Sequence, residues 1–588
     1  MTKSARPRQW LSNKKLFALH GWLGMNFGLL LFWICLSGAI ASLSFEIEWL
    51  TQPSLRIEAD GPVRWQATYE ALRTAFPNHQ VPGFQRGEPV VMDGMAWSSY
   101  LIRPDGDFAQ VHVDPYEGSV VRVPTRLYVQ DVVRQLHYTF MDSSSWGFYL
   151  VCFVAFPLLF SIVSALPFFK RWWRHLFRLR IGSGGRAFFS SLHRVTGVWS
   201  LVFGLIIGIT SVWYLIEDFL PAEVFPAYPS VSVERLATVG PAPPALLLER
   251  YIEAAQAAFP ELEPTGIYLP TGPDDAVQVR GRTGRILVRD RANAVFLDPF
   301  DASVVGIHNS SRDGALQWWM NAADSLHFGY WGRLASKILW ALFGLCLPVL
   351  VLTGAYLSWR RIGIVGPGNP LRNRASRRDL PWWRRRPVRT WVMLALTGVI
   401  IAWVIDGYQR RAEAPEPFVE IGTAAIGPWR ARIIREPGAS EGEPVQYAVA
   451  FDAGPSRAVN LRRATLGYSN ESNDKAQVAS EPVQLQGATH AMRGALSIPA
   501  ELQGNTRLRL SAETWDGKRF EATVRDSRPY TISEQPRRYD PAAPGVFYTV
   551  VYGYAVIALL VAILWWFLDT APPVVRRGKA RSVKDNLA

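Results

Sequence analysis

The sequence predicts a mainly α-helical membrane protein with six transmembrane helices, two repeated extracytoplasmic α+β domains and a third extracytoplasmic β-sandwich-like domain. Three observations carry this expectation. Six apolar windows, at about 17–44, 146–168, 190–216, 334–359, 390–406 and 545–568, suit a hydrocarbon core about 30 Å thick, which takes about 20 helical residues. The basic segments "RPRQWLSNKK", "KRWWRHLFRLR", "RRIGIVGPGNPLRNRASRRDLPWWRRRPVR" and "RRGKARSVK" all fall on one side if six spans alternate. Excess Lys and Arg mark the cytoplasmic side, so both termini are expected there. The first two thirds of the chain are also an internal duplication.

The bulk numbers agree. Nearly half of the 588 residues are apolar, and 24 are tryptophan. The formal net charge of +14 would suit a nucleic-acid binder, but its placement beside the spans makes it a topology signal instead. No nucleic-acid partner is expected; membrane lipid is. The three cysteines, Cys35, Cys152 and Cys346, each lie inside an apolar run. They form no Cys-x-x-Cys pair, no c-type haem attachment and no cysteine zinc site. Ala39-Ile40-Ala41 resembles a signal-peptide cleavage site, but the run before it is long and the same pattern returns in the third span, so cleavage is not expected.

The duplication reads in order along the chain. Leu19-His20…Gly24 matches Leu192-His193…Gly197, Asp114-Pro115-Tyr116 matches Asp298-Pro299-Phe300, Leu136-His137-Tyr138 matches Leu326-His327-Phe328, and Trp146-Gly147 matches Trp331-Gly332. Copy one is 1–180, with a domain at 45–145 between spans one and two. Copy two is 181–362, with a domain at 217–333 between spans three and four. Segments such as "VHVDPYEGSVV" and "AVFLDPFDASVVG" alternate like strands and turn at Gly, Pro and Asp. A basic cytoplasmic linker, 363–389, leads to 390–569, where spans five and six enclose a β-rich domain at 407–544; 570–588 is a cytoplasmic tail.

The repeated histidines are the candidate site. On this topology His20 and His193 open helices that start from the cytoplasm, and His137 and His327 precede helices that start outside. They therefore make two pairs, one at each face. Ionisable groups at membrane depth are costly and usually functional. Neutral imidazole ligates haem iron, and a six-coordinate haem takes two, here one from each copy. Gly24 and Gly28 lie on the His20 stripe at i+4 spacing, while Gly197 lies beneath His193 with Gly204 and Gly208 continuing that face. A strip without side chains admits a planar ring or a neighbouring helix. Taken singly, each histidine reads as an interfacial residue; four at repeated positions favour haem. His79, His112, His175, His308 and His490 do not repeat and are expected to be structural or exposed.

His-x-x-x-Gly helix starts, the strand-turn before a Leu-His-aromatic segment, and a second copy ending "LTGAYLSWRR" resemble the PepSY-associated transmembrane family over about residues 10–362. That family includes iron-regulated inner-membrane proteins and ferric-siderophore reductases. The resemblance implies PepSY-like domains, a bacterial inner membrane and two b-type haems bound by His20, His193, His137 and His327, with Gly24 and Gly197 beside them. It implies an oxidoreductase of the ferric-reductase type, serving iron acquisition by reducing an extracytoplasmic ferric chelate or siderophore. Two departures from it stand out: Ala302 replaces Gly118 in the turn, and the first copy lengthens the loop between His137 and Trp146. Trp146, Trp318, Trp319, Trp331, Asp142 and Asp324 are candidates near the chelate, although the tryptophans also read as an aromatic belt. "IGSGGR" and "GPGNP" sit between no strand and helix, so no nicotinamide or flavin fold is visible. A separate donor, a quinol or a cytoplasmic reductase, is expected. The competing expectation is a membrane-anchored protein whose outer domains bind or regulate periplasmic proteases without redox activity. A proton-relay transporter is disfavoured by span cores nearly free of Asp and Glu.

Overall fold

The computed structural model describes residues 13–87, 92–103, 108–122, 129–140, 145–167, 172–361, 419–435, 445–469, 478–487, 491–498 and 506–526. These all belong to one unit of the chain, residues 1–537. The expected spans at 390–406 and 545–568, the linker, the tail, Asp142 and His490 lie outside the described residues.

Copy one runs α1 (Asn13–Asn26), α2 (Gly28–Ala41), α3 (Ser44–Thr51), α4 (Trp65–Ala75), β1 (Gly83–Gln85), β2 (Trp97–Ile102), β3 (Phe108–Asp114), β4 (Ser119–Arg122), α5 (Val129–Thr139), α6 (Ser145–Phe153) and α7 (Ala155–Ala165). Copy two repeats this order. It runs α8 (Gly185–Trp199), α9 (Leu201–Asp218), α10 (Leu236–Val239), α11 (Leu248–Ala258), β5 (Glu263–Tyr268), β6 (Val277–Arg282), β7 (Asn293–Leu297), β8 (Val304–His308), α12 (Ala315–Phe328) and α13 (Arg333–Arg361).

Trp146–Ala165, Leu201–Asp218 and Tyr330–Ser358 are each long and apolar enough to cross a membrane, and α1 with α2 make a fourth candidate bent by 67°. The sequence windows put one straight helix at 17–44 and another at 190–216. The structure breaks both, at Phe27 and at Ser200, which stand 173 residues apart, as His20 and His193 do. Backbone bonds still run through each break: Leu31 N to Phe27 O at 2.9 Å, and Gly204 N to Ser200 O at 2.7 Å. The breaks separate the histidine-bearing turns, α1 and α8, from the straight apolar rods α2 and α9. Packing follows the same symmetry. α2 lies along α13 and α7 along α9 across the copies, while α1 packs on α7 and α8 on α13 within them.

Outside the spans, the two expected α+β domains share one sheet. Its strand order is β4-β3-β2-β1-β5-β6-β7-β8, antiparallel throughout. The copies meet at β1 and β5, where Phe84 stands opposite Ile267. Only glycine serves at this junction: Gly83 has φ of +134°, and a Cβ there would lie 2.0 Å from the Ile267 carbonyl oxygen. Helices α4 and α11 cover one face, and one core takes Leu72, Leu101 and Val113 from copy one with Leu248, Ile267 and Leu297 from copy two. Each such side chain is worth about 1.5–3 kcal/mol on burial. The two helices also satisfy each other's first-turn donors. Gln66 N donates to Glu249 Oε1 at 2.9 Å, and Leu248 N to Gln66 Oε1 at 3.0 Å. The repeated turns match too. Asp114 Oδ1 accepts from the Tyr116 and Glu117 amides, and Asp298 Oδ1 from those of Phe300 and Asp301. Ala302 adopts the left-handed conformation of Gly118, with φ of 59° against 72°. The substitution therefore keeps the turn and adds strain to it.

The third region is β9 (Val419–Ile426), β10 (Trp429–Arg435), β11 (Val445–Asp452), β12 (Leu461–Ser469), β13 (Val478–Ala479), β14 (Val483–Gln484), β15 (Ala491–Ile498), β16 (Thr506–Thr514) and β17 (Arg519–Asp526). One sheet is β15-β11-β10-β9. The other is β13-β12-β16-β17, with β14 on β12, and the two enclose a core around Ile433, Val449, Phe451 and Leu510. It leans on both copies. The Asn460 amide donates to the carbonyls of Leu236 and Gly240 at 2.7 and 2.9 Å, and Arg73 pairs with Asp452 at 2.5 Å.

Candidate functional site

The four repeated histidines come together in two cross-copy pairs. His20 on α1 meets His193 on α8, with ring centroids 6.3 Å apart. His137, near the end of α5, meets His327, near the end of α12, at 6.1 Å. Two neutral imidazoles brought together from two copies are a donor set that haem iron would accept. The two levels are separated along α13: Gly344 packs on Ala39, beside Gly38 and His137, while Thr353 holds His193. Nine residues at 1.5 Å each put the levels about 14 Å apart.

The remaining bonds fix the tautomers. His20 Nδ1 meets the Ser161 carbonyl at 2.9 Å, and His137 Nδ1 the Ile34 carbonyl at 2.9 Å. A carbonyl can only accept, so each Nδ1 carries the proton. His193 Nδ1 meets Thr353 Oγ1 at 2.8 Å, and His327 Nδ1 meets Thr210 Oγ1 at 2.8 Å. Each threonine gives its own proton to the carbonyl four residues back, Val349 at 2.7 Å and Ile206 at 2.9 Å, and so accepts from the ring. In all four imidazoles the lone pair is therefore on Nε2, the form a metal binds, with the Nδ1–H held in the manner of an orienting outer bond. His137 and His327 lie on α5 and α12, outside the four spans, and burial lowers the pKa of both, keeping them neutral.

The sheet-side pair faces a cavity of about 880 Å³ walled by α2, α5, α6, α7, α9, α12 and α13. That is the size class of a cofactor site. Its wall changes character along each helix. α9 supplies Phe203, Ile207, Ser211, Tyr214 and Glu217 in order toward the sheet, while Leu31, Cys35, Leu158 and Leu347 line the deep part. Tyr214 packs on the His327 ring at 5.1 Å and donates to Asp324 at 3.0 Å; Asp324 pairs with Arg289 at 3.1 Å. Among the described residues no cluster of three or more His, Cys, Asp or Glu could hold a bare metal ion. The donor sets are thus two paired imidazoles, which suit a metal carried in a planar macrocycle whose ring supplies the other ligands.

The glycines divide. Gly24 faces open space and Gly197 is in ordinary contact with Leu350. Gly28, Gly204 and Gly208 are filled by Val351, Ile162 and Leu159, so this part of the stripe is helix packing. The glycine that admits an imidazole is Gly38, where a Cβ would lie 2.6 Å from His137 Cε1; at Gly354 it would lie 3.2 Å from His193 Cε1. Sequence reading missed both, and missed Thr210 and Thr353. A signal existed: Ser37-Gly38-Ala39 and Thr353-Gly354-Ala355 share a hydroxyl-Gly-Ala pattern on span helices. Of the other candidates, Asp324 lines the cavity, Trp319 packs on Trp213 at 6.1 Å, and Trp146, Trp318 and Trp331 stand exposed as a belt would. His308 pairs with Asp313 at 3.0 Å, and His112 is buried in β3.

A family profile described as PepSY-associated TM region matches residues 17–361. No curated protein matches the chain.

Proposed function

We propose, from the premise that this chain belongs to the PepSY-associated TM family, that it carries electrons across a bacterial inner membrane through two b-type haems and delivers them to a ferric chelate on the sheet side. One observation carries the proposal. Two histidine pairs, each built from both copies, keep the Nε2 lone pair that would ligate haem iron, and they stand at two levels of one helical bundle.

His20 and His193 would hold one haem and His137 and His327 the other. Bound haem supplies one-electron chemistry between ferric and ferrous iron. The chain's own residues set position and access. Ser161, Ile34, Thr353 and Thr210 fix the imidazole planes and leave Nε2 as donor. Leu31 of α2, Leu158 of α7 and Phe203 of α9 give the deep part of the sheet-side site an apolar wall. Electrons would enter at the His20 level from a separate donor, a quinol or a cytoplasmic reductase. They would leave at the His137 level, where one electron turns ferric iron ferrous and loosens the hold of oxygen ligands on it.

The test is an absorption spectrum of full-length protein purified from haem-replete cells, before and after dithionite. The expected result is a low-spin bis-imidazole spectrum that responds to reduction. Colourless protein would overturn the proposal and return the chain to the reading in which the sheet region binds periplasmic proteases.

A further inference from the structure

The turn between α7 and α8, residues 172–184, sits at the His193 level, the end of the bundle remote from the sheet. Its Arg180 amide donates to Ser191 Oγ at 2.9 Å, two residues before His193, and Trp199 Nε1 donates to the Leu176 carbonyl at 2.8 Å. Phe177 packs edge-on against Trp199 at 5.5 Å. The turn therefore grips α8 on both sides of His193.

This turn is apolar and basic at once. Phe177 and Ile181 are 80% and 79% exposed, and Trp172, Trp173 and Leu179 are exposed beside them. Arg174, Arg178 and Arg180 interleave with these and are exposed too. Arg180 also stands near enough to Arg194 of α8 for the two cations to repel. The sequence has no Asp or Glu in 1–45, 143–216 or 325–378, which supply α1, α2, α6, α7, α8 and α13. Among the described residues no carboxylate pairs with any of these four arginines. Large apolar side chains bare in water are a liability, and so are like charges without a counter-ion. An anion that carries its own apolar chains relieves both.

We propose that this turn binds an anionic phospholipid, its arginines on the headgroup phosphate and its aromatic and aliphatic side chains among the acyl chains, and that the bound lipid steadies α8 and His193. The lipid contact stands on the turn's own residues; only its effect on His193 rests on the haem reading above. Guanidinium groups hold phosphate through charge-assisted bonds, and arginine beside tryptophan and phenylalanine is the composition of a segment lying in a membrane interface. Each cation near an anionic membrane surface is worth about fivefold in affinity. A free phosphate would answer the arginines and leave Phe177 and Ile181 in water.

The experiment counts lipid bound to the full-length protein in detergent, by native mass spectrometry, during titration with phosphatidylglycerol or phosphatidylcholine. Phosphatidylglycerol should bind at least about 25-fold more tightly, two arginines' worth, and Arg178→Gln with Arg180→Gln should erase most of that preference. The second change keeps the backbone bond to Ser191. Equal binding of the two lipids by the wild type would overturn the inference, and this arm needs no substitution, so it decides the matter even if the double variant fails to fold. An unchanged preference in a folded double variant would also overturn it. Inorganic phosphate that displaces the phosphatidylglycerol at equal concentration would reveal a bare anion site and overturn the lipid assignment. In nanodiscs, the haem missing from His193→Ala should pass to excess apomyoglobin several-fold faster without phosphatidylglycerol than with it; equal rates would overturn the link to His193. Colourless protein would instead refute the functional reading, and that link with it, while the lipid titration still decides the binding.

Discussion

Copy one and copy two build the same histidine pairs from different materials. Copy one holds its imidazoles with backbone carbonyls, Ser161 for His20 and Ile34 for His137. Copy two uses threonine hydroxyls, Thr353 for His193 and Thr210 for His327. The lesson is that the duplication preserves a geometry, an Nδ1 acceptor at about 2.8–2.9 Å, rather than a residue. It also leaves the two copies open to different perturbations: no substitution deletes a carbonyl, but valine deletes a threonine acceptor. A second asymmetry lies between the copies. Lys337 of α13 is fully buried and donates to Glu46 of α3, whereas Cys152 stands at the matching place of copy one.

The largest expected effect tests that buried cross-copy ion pair. Lys337→Met leaves Glu46 buried without its cation and should cost about 3–5 kcal/mol, seen as a large drop in Tm. Lys337→Met with Glu46→Leu should recover most of it. Next come the threonines. Thr210→Val should weaken sheet-side haem retention about 10–100-fold, the usual cost of losing an orienting partner. Thr353→Val should do the same to the other haem alone. Equal loss at both levels from either variant would break the assignment of one threonine to each pair. Gly38→Ala forces the His137 ring aside and should lower sheet-side haem content by about tenfold, as overpacking by one methyl costs about 1–3 kcal/mol. Gly24→Ala, in open space, should change nothing. The smallest effect is in the turns. Gly118→Ala meets Ala67 Cβ at 2.7 Å as well as left-handed strain and should destabilise by about 1–2 kcal/mol. Ala302→Gly relieves strain but frees the unfolded chain, so its Tm should rise by no more than a degree or two.

Much of this was legible in the residues. Of six membrane-length runs, four fall on candidate spans and two lie outside the described residues, and matched motifs paired His20 with His193 and His137 with His327, whose rings stand near each other. The bends at Phe27 and Ser200 were not legible, because both lie inside long, mostly apolar windows and a bend there follows from how α1 and α8 pack on α7 and α13. The shared sheet was hidden because β1 is three residues long, too short for alternation to show, and its pairing with β5 spans 183 residues. The glycine stripe misled in part. Small residues admit a ring or a helix equally well, and at Gly204 and Gly208 the helix α7 took the space. Thr210 carries no local signal of its role, since a threonine bonded to the carbonyl four residues back is common in any helix, and Thr353 is marked only by the hydroxyl-Gly-Ala pattern it shares with Ser37.

The central claim is that each haem is held by one histidine from each copy, and haem counting in double variants tests it most directly. If it is right, His20→Ala with His193→Ala keeps one haem per chain, no worse than either single variant, while His20→Ala with His137→Ala keeps none. Equal retention in the two double variants, or two haems per chain in either, would contradict it.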